Sequence, residues 1–249
     1  MIEFQYLNQS EAAAAQEKAR LAVLPLGAVE SHGDHLPLAT DNLLAERLAR
    51  RFVERLPHGE AILLPTLSYG PLWSTEDYPG SLTISQATFV ALLVDLAQSL
   101  ARKGIRSVAA VNAHYGNLDG LKQAGRLLRE RGLTLLAFTY PGADAVAERV
   151  RETPVVHPRY MHACEIETSY MLALAPEHVD LAQAASNFPT FPATFDVVPT
   201  RWSDFSSHTP VLGDPRLATA EKGEAILSRV LDRMVALTAE VLAVNRPNA

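Results

Sequence analysis

Acids and histidines crowd into the fifteen residues Gly27-Ala28-Val29-Glu30-Ser31-His32-Gly33-Asp34-His35-Leu36-Pro37-Leu38-Ala39-Thr40-Asp41. Glu30 and His32 are two apart, so in an extended segment their side chains share one face. Asp41 opens the stretch that follows and can project back over the same point. A carboxylate, an imidazole and a second carboxylate near a strand end form a ligand set for Zn, Mn or Fe. The alternative is a plain polar loop, in which Asp41 caps the next helix and Glu46 sits in its second turn.

Two further stretches carry the same chemistry. Asn112-Ala113-His114-Tyr115-Gly116-Asn117 directly follows an apolar run, and His162-Ala163-Cys164-Glu165-Ile166-Glu167-Thr168-Ser169 opens a helical pattern that continues to Leu174. On a helix His162 and Glu167 stand about 140° apart, so both face one site only if His162 lies at the helix start, where the chain can turn it inward. The alternative is that Glu165 and Glu167 merely favour a helix N-terminus. Trp73 and Ser74 lie in the aromatic, Gly- and Pro-bearing segment from Thr66 to Ser81, which reads as an ordered binding loop. Cys164 is the only cysteine, which excludes an internal disulfide and a multi-cysteine zinc site. No Gly-x-Ser-x-Gly elbow is present for a serine hydrolase.

The elements that must position these residues follow from apolar periodicity. Strands are expected at Leu21–Leu26, Ala61–Pro65, Ile105–Val111 and Leu133–Phe138, as short, nearly all-apolar runs. Helices are expected from Ser10 to Arg20 with Ser10 as cap, from Asp41 to Leu56, from a Ser85 cap to about Lys103, then to about Arg131 after the His114 loop. Further helices start near Pro141, at His162 and, last, from about Thr219 to Asn245. Asn187 to Pro215, rich in Pro, Thr, Ser and aromatics, reads as a lid or interface arm. Alternation of strand and helix through the first 150 residues predicts an α/β fold, a mainly parallel sheet with helices on both faces. In such sheets the site lies beyond the carboxyl ends of the strands, where the Glu30/His32 and His114 loops meet.

The 249 residues are expected to form one domain, since no linker-like stretch interrupts them. Net charge is −6 and no basic stripe forms, which argues against nucleic acid and anionic membranes as partners. No secretory signal is evident at Met1-Ile2-Glu3-Phe4-Gln5 and no apolar run is long enough to span a membrane, so a cytoplasmic location is expected.

These motifs, together with Tyr78-Pro79-Gly80-Ser81, resemble the creatininase (creatinine amidohydrolase) family, in the family's order over most of residues 20–175. The resemblance implies a three-layer αβα sandwich around a four-stranded, mainly parallel sheet, two divalent metal ions (Zn, Mn or Fe), and a homo-oligomer, often a hexamer built from dimers. Position by position it implies Glu30, Asp41 and His114 on one metal, and His32 and Asp41 on the other. Where creatininase itself has a glutamate two residues after the loop histidine, this chain has Gly116, and Glu167 is the residue expected to complete the second set. The expected reaction is hydrolysis of a non-peptide C–N amide bond, creatinine-like or a formamide, by a metal-activated hydroxide. His162 would protonate the leaving nitrogen, Glu165 would orient His162, and Trp73, Ser74 and Tyr115 would line a small-molecule pocket. The competing readings are a dinuclear hydrolase of another bond, phosphoester or peptide end, and a metal-poor non-catalytic scaffold.

Overall fold

The computed structural model describes residues 1–244, built around four short strands, β1 (Leu21–Leu26), β2 (Ala61–Leu63), β3 (Ser107–Asn112) and β4 (Thr134–Phe138). All pairings are parallel, in the order β2-β1-β3-β4, with Leu26 opposite Asn112 and Val111 opposite Phe138 at the carboxyl edge. β1 and β3 are buried along their whole length, as expected of strands covered on both faces.

Alternation along β1 assigns the two cores. Leu21 and Val23 pack with α2 (Thr40–Glu54), α5 (Asp144–Val150), α6 (Glu165–Leu174) and α7 (Ala220–Val244). Ala22, Leu24 and Leu26 pack with α1 (Gln9–Lys18), α3 (Gln86–Ala101) and α4 (Leu118–Glu130). The result is the expected αβα layering. From β1 the chain goes to β2 on one side of it and later returns through β3 on the other, so the sheet reverses its order between β1 and β3. A crevice opens at such a point. Behind it α6 and α7 cross closely: a Cβ on Gly223 would stand 2.6 Å from the Ser169 carbonyl carbon and 2.9 Å from the Ala173 Cβ.

Several boundaries differ from the sequence reading for identifiable reasons. Asn8, not Ser10, caps α1, in a reciprocal capping box with Glu11. Ala39 occupies the cap of α2, so Asp41 stands inside its first turn instead of spending its carboxylate on the cap. Pro141 lies within a turn closed by the Ala143 N–H on the Tyr140 carbonyl, and α5 begins at Asp144. α6 starts at Glu165, leaving His162 on the loop before it. The expected end of the last helix at Asn245 lies outside the described residues.

Candidate metal centre

Three histidines and three carboxylates converge at the carboxyl edge of β1 and β3: Glu30 and His32 from the loop after β1, Asp41 from α2, His114 from the loop after β3, His162 just before α6, and Glu167 on α6. All are at most 6% exposed. Their ligand atoms fall into three overlapping triads: Glu30/Asp41/His114, His32/Asp41/Glu167 and Glu30/His32/His162. Within each, the atoms lie within 4.8 Å of one another. Glu30, His32 and Asp41 each belong to two of them, and Asp41 reaches a different histidine with each oxygen, Oδ1 toward His32 and Oδ2 toward His114.

The hydrogen bonds of the imidazoles define what each can do. A carbonyl only accepts, so His114 Nε2 donates to the Pro71 carbonyl (2.9 Å), His32 Nδ1 to the Glu30 carbonyl (3.1 Å) and His162 Nε2 to the Ser31 carbonyl (2.7 Å). Each histidine therefore turns its second nitrogen inward. His114 Nδ1 lies 2.8 Å from Glu30 Oε1 and 3.1 Å from Asp41 Oδ2. His32 Nε2 lies 3.4 Å from Asp41 Oδ1 and 3.8 Å from Glu167 Oε2, and His162 Nδ1 is 4.0 Å from Glu30 Oε1. An imidazole anchored through one N–H on a backbone carbonyl has its tautomer fixed, with the other nitrogen free toward the carboxylates, the arrangement of a metal ligand or of a proton carrier.

The donor set fits divalent cations. His32 Nε2 and Asp41 Oδ2 are buried with no hydrogen-bond partner among the described residues, and unpartnered buried polar atoms are costly unless something else binds them. Neighbours also hold the acids in place: Thr75 donates to Glu30 Oε2, the oxygen turned away from His114, and the Ala163 N–H donates to Glu167 Oε2, the oxygen that faces His32, each at 2.5 Å.

Without metal the centre balances its charge with protons. Burial disfavours the charged form of His32, but Asp41, Glu167 and Glu30 outweigh it and raise its pKa to about 10. His114 is likewise driven well above its ordinary value by Glu30 and Asp41 against the cost of burial. Burial acts upward on Glu30, yet the neighbouring imidazoles hold it well below the usual carboxylate range. Burial, with Asp41 and Glu30 beside it, raises Glu167 to about 7 despite the pull of His32. Burial and the charge on His32 lower His162 to about 4, so it is neutral with its lone pair on the inward Nδ1.

Local backbone explains how α6 contributes twice. Ala163 takes a left-handed φ of 49°, unusual for a residue with a Cβ. That turn, before Glu165 begins the helix, aims His162 and Glu167 at one point. His35 ties the β1 loop to α6 through Thr168 Oγ1 (3.0 Å) and is held neutral, its pKa lowered to about 4 by burial and the charge on His32.

Glu165 is the one expected site residue that the structure takes elsewhere. It points away from His162 and accepts from the Glu152 and Thr153 backbone N–H groups, Thr153 Oγ1 and Lys222 Nζ (2.7 Å). It staples the loop after α5 to α7. Trp73, Ser74 and Tyr115 do line the cavity of about 570 Å³ that opens onto the centre, with Tyr160, Met161 and Trp202 along its wall. Sequence reading missed Thr75, Trp202 and the Pro71 and Ser31 carbonyls. The first two lie in segments already marked as irregular and aromatic, whereas a main-chain carbonyl leaves no trace in residue identity.

Gly116 makes the His114 anchor possible. A Cβ there would overlap His114 Nε2 and the Pro71 oxygen, and would stand 3.0 Å from His114 Cε1.

A parallel sheet covered on both faces, with imidazoles and carboxylates gathered at its carboxyl edge, defines an α/β protein with a metal-capable centre. The chain belongs to the creatininase family, whose creatinine amidohydrolase profile matches residues 5–238, and it is thereby a hydrolase of the amidohydrolase type. It is 32% identical over 223 residues to the mycofactocin precursor peptide peptidase of Mycobacterium tuberculosis, covering 86% of this chain and 82% of that one. It is also 32% identical over 224 residues to the creatinine amidohydrolase of Pseudomonas putida, covering 82% and 83%. A solved mutant creatininase of Zn-Zn type superposes with a TM-score of 0.77 at 27% identity, over 96% of this chain and 98% of that one.

Proposed function

We propose that the chain is a dinuclear metal-dependent amidohydrolase that cleaves a C–N amide bond of a small molecule, acting as one domain and as a homo-oligomer. Glu30, Asp41 and His114 would hold one divalent ion and His32, Asp41 and Glu167 the other. When bound, such ions would supply an activated water and a Lewis acid for the carbonyl oxygen. The observation that carries this reading is the set of three imidazoles, each fixed on a backbone carbonyl with its other nitrogen turned to the carboxylates.

His162 handles the proton. Its inward Nδ1 is unprotonated, so it first takes the proton of the attacking water and then delivers it to the leaving nitrogen. Throughout, the Nε2–H stays on the Ser31 carbonyl, which favours the transient imidazolium. Trp73, Ser74 and Tyr115 border the space above these groups. Arg159 and Lys122 at the cavity are already engaged by Asp196 and Asp119, which disfavours a phosphoester substrate.

A cyclic amide or formamide is the first reading of the substrate, and the amide at a peptide end is the second. The second is favoured by the size of the cavity, which lies in the range that holds ligands larger than a single small ring, and by the peptidase relatives. Turnover by zinc- or manganese-loaded protein of creatinine, formamides, short peptides and phosphoesters decides among them. Release of amine from an amide is expected; cleavage of phosphoesters alone would overturn the proposal.

A further inference from the structure

We propose that Trp202 is a substrate-recognition residue of this centre, its indole N–H kept for an acceptor oxygen of the substrate. This rests on the amidohydrolase reading and extends it to substrate chemistry. Trp202 is 6% exposed, lines the cavity, and sets its ring edge-on to His162 with centroids 5.5 Å apart. Its Nε1 is buried and has no hydrogen-bond partner among the described residues. Buried indole N–H groups ordinarily find an acceptor.

The backbone that carries this ring is tied down on both sides. The Trp202 backbone N–H, distinct from the indole N–H, donates to the Ser74 carbonyl (3.1 Å). On one side Arg201 pairs with Glu76 (2.5 Å) and Asp77 (2.7 Å), and on the other Ser203 donates to Asp77 (2.7 Å) and Tyr78 donates to the Ser206 carbonyl (2.5 Å). Ties on both sides hold the irregular segment against the 73–78 loop, so the unpartnered N–H is not a by-product of a loose surface ring. Trp73, Tyr160 and Met161 give the same cavity planar and apolar lining. The substrate is accordingly an amide that carries, besides its scissile carbonyl, a carbonyl or carboxylate oxygen beside a planar or apolar group.

The chain has two tryptophans, so indole-¹⁵N-labelled protein gives two indole N–H signals. Zinc-loaded full-length protein is titrated with creatinine, N-formylglycine and hippurate. At least one probe is expected to move the Trp202 signal downfield and slow its solvent exchange, with the Trp73 signal moving less. The same probe is expected to bind Trp202→Phe about tenfold more weakly, the loss of roughly one hydrogen bond, with KM affected more than kcat. The proposal is overturned if no probe moves the Trp202 signal, or if the probe that moves it binds Trp202→Phe equally well. A probe that engages Trp202 without any amide being hydrolysed would sink the amidohydrolase reading alone. Hydrolysis with unchanged KM in Trp202→Phe would sink the Trp202 assignment alone.

Discussion

Replacing Gly116 by alanine adds one methyl group at a point with no space for it. The new Cβ would overlap both partners of the His114–Pro71 hydrogen bond, so either the imidazole or the loop at 71 must withdraw. Gly116 itself is exposed, so the cost lies in the clash: forcing an extra methyl against packed neighbours costs about 1–3 kcal/mol, and loss of the hydrogen bond adds about 1 kcal/mol. The effect on metal is separable from the effect on stability. His114 Nδ1 faces Glu30 and Asp41 only while Nε2 is pinned, and freeing such an anchor weakens metal binding roughly 10- to 100-fold. Competition against a chelator of known affinity measures metal binding by the metal-free Gly116→Ala protein, and urea unfolding measures its stability. Metal affinity within twofold of wild type would refute the claim that the Pro71 carbonyl sets His114 as a ligand through Nδ1.

Other outcomes follow from the same geometry. His32, at about 10, and His114, higher than its ordinary value, are protonated without metal at pH 7.5, so loading the centre should release about two protons from them. Calorimetry in buffers of different ionisation enthalpy reads this number, and a value near zero would contradict the charge assignment. Because both histidines are raised, their contribution to metal-free stability is full below about 6.5, their unfolded value, and is lost as pH rises toward 10. The melting temperature of the metal-free protein should therefore fall over that range while metal affinity rises. His162→Gln should lower kcat by about 10²–10⁴ while both metals remain bound; an unchanged kcat would remove His162 from proton transfer. Lys222→Met leaves the fully buried Glu165 without its cation and should cost about 3 kcal/mol in denaturant unfolding, with a loss below 0.5 kcal/mol counting against the staple.

Much of the architecture was legible because each strand is a short apolar run bounded by turn formers, and each long helix keeps one apolar face. The convergence of the Glu30/His32 and His114 loops followed from parallel topology alone. The errors came from three-dimensional alternatives that spacing cannot separate. Glu165 is three residues after His162 and would share its face only if the helix began at His162. The helix begins at Glu165, and the left-handed Ala163 intervenes. Lys222, which captures Glu165, comes from α7, 57 residues later. Asp41 resembled a cap because acids favour helix starts, yet Ala39 occupies the cap and leaves the carboxylate for the centre. The carbonyl anchors of the three histidines depend on backbone path and left no mark in the residue pattern.

The central claim is that two divalent ions share this centre and that Glu167 completes the second set of ligands, where Gly116 has no side chain to offer. Metal content per subunit, by elemental mass spectrometry on wild type and Glu167→Gln purified without added metal, tests it most directly. Two ions per subunit in wild type, falling to one in the variant with the fold intact by circular dichroism, is the predicted result. One ion or none in wild type, or two retained in Glu167→Gln, would contradict it.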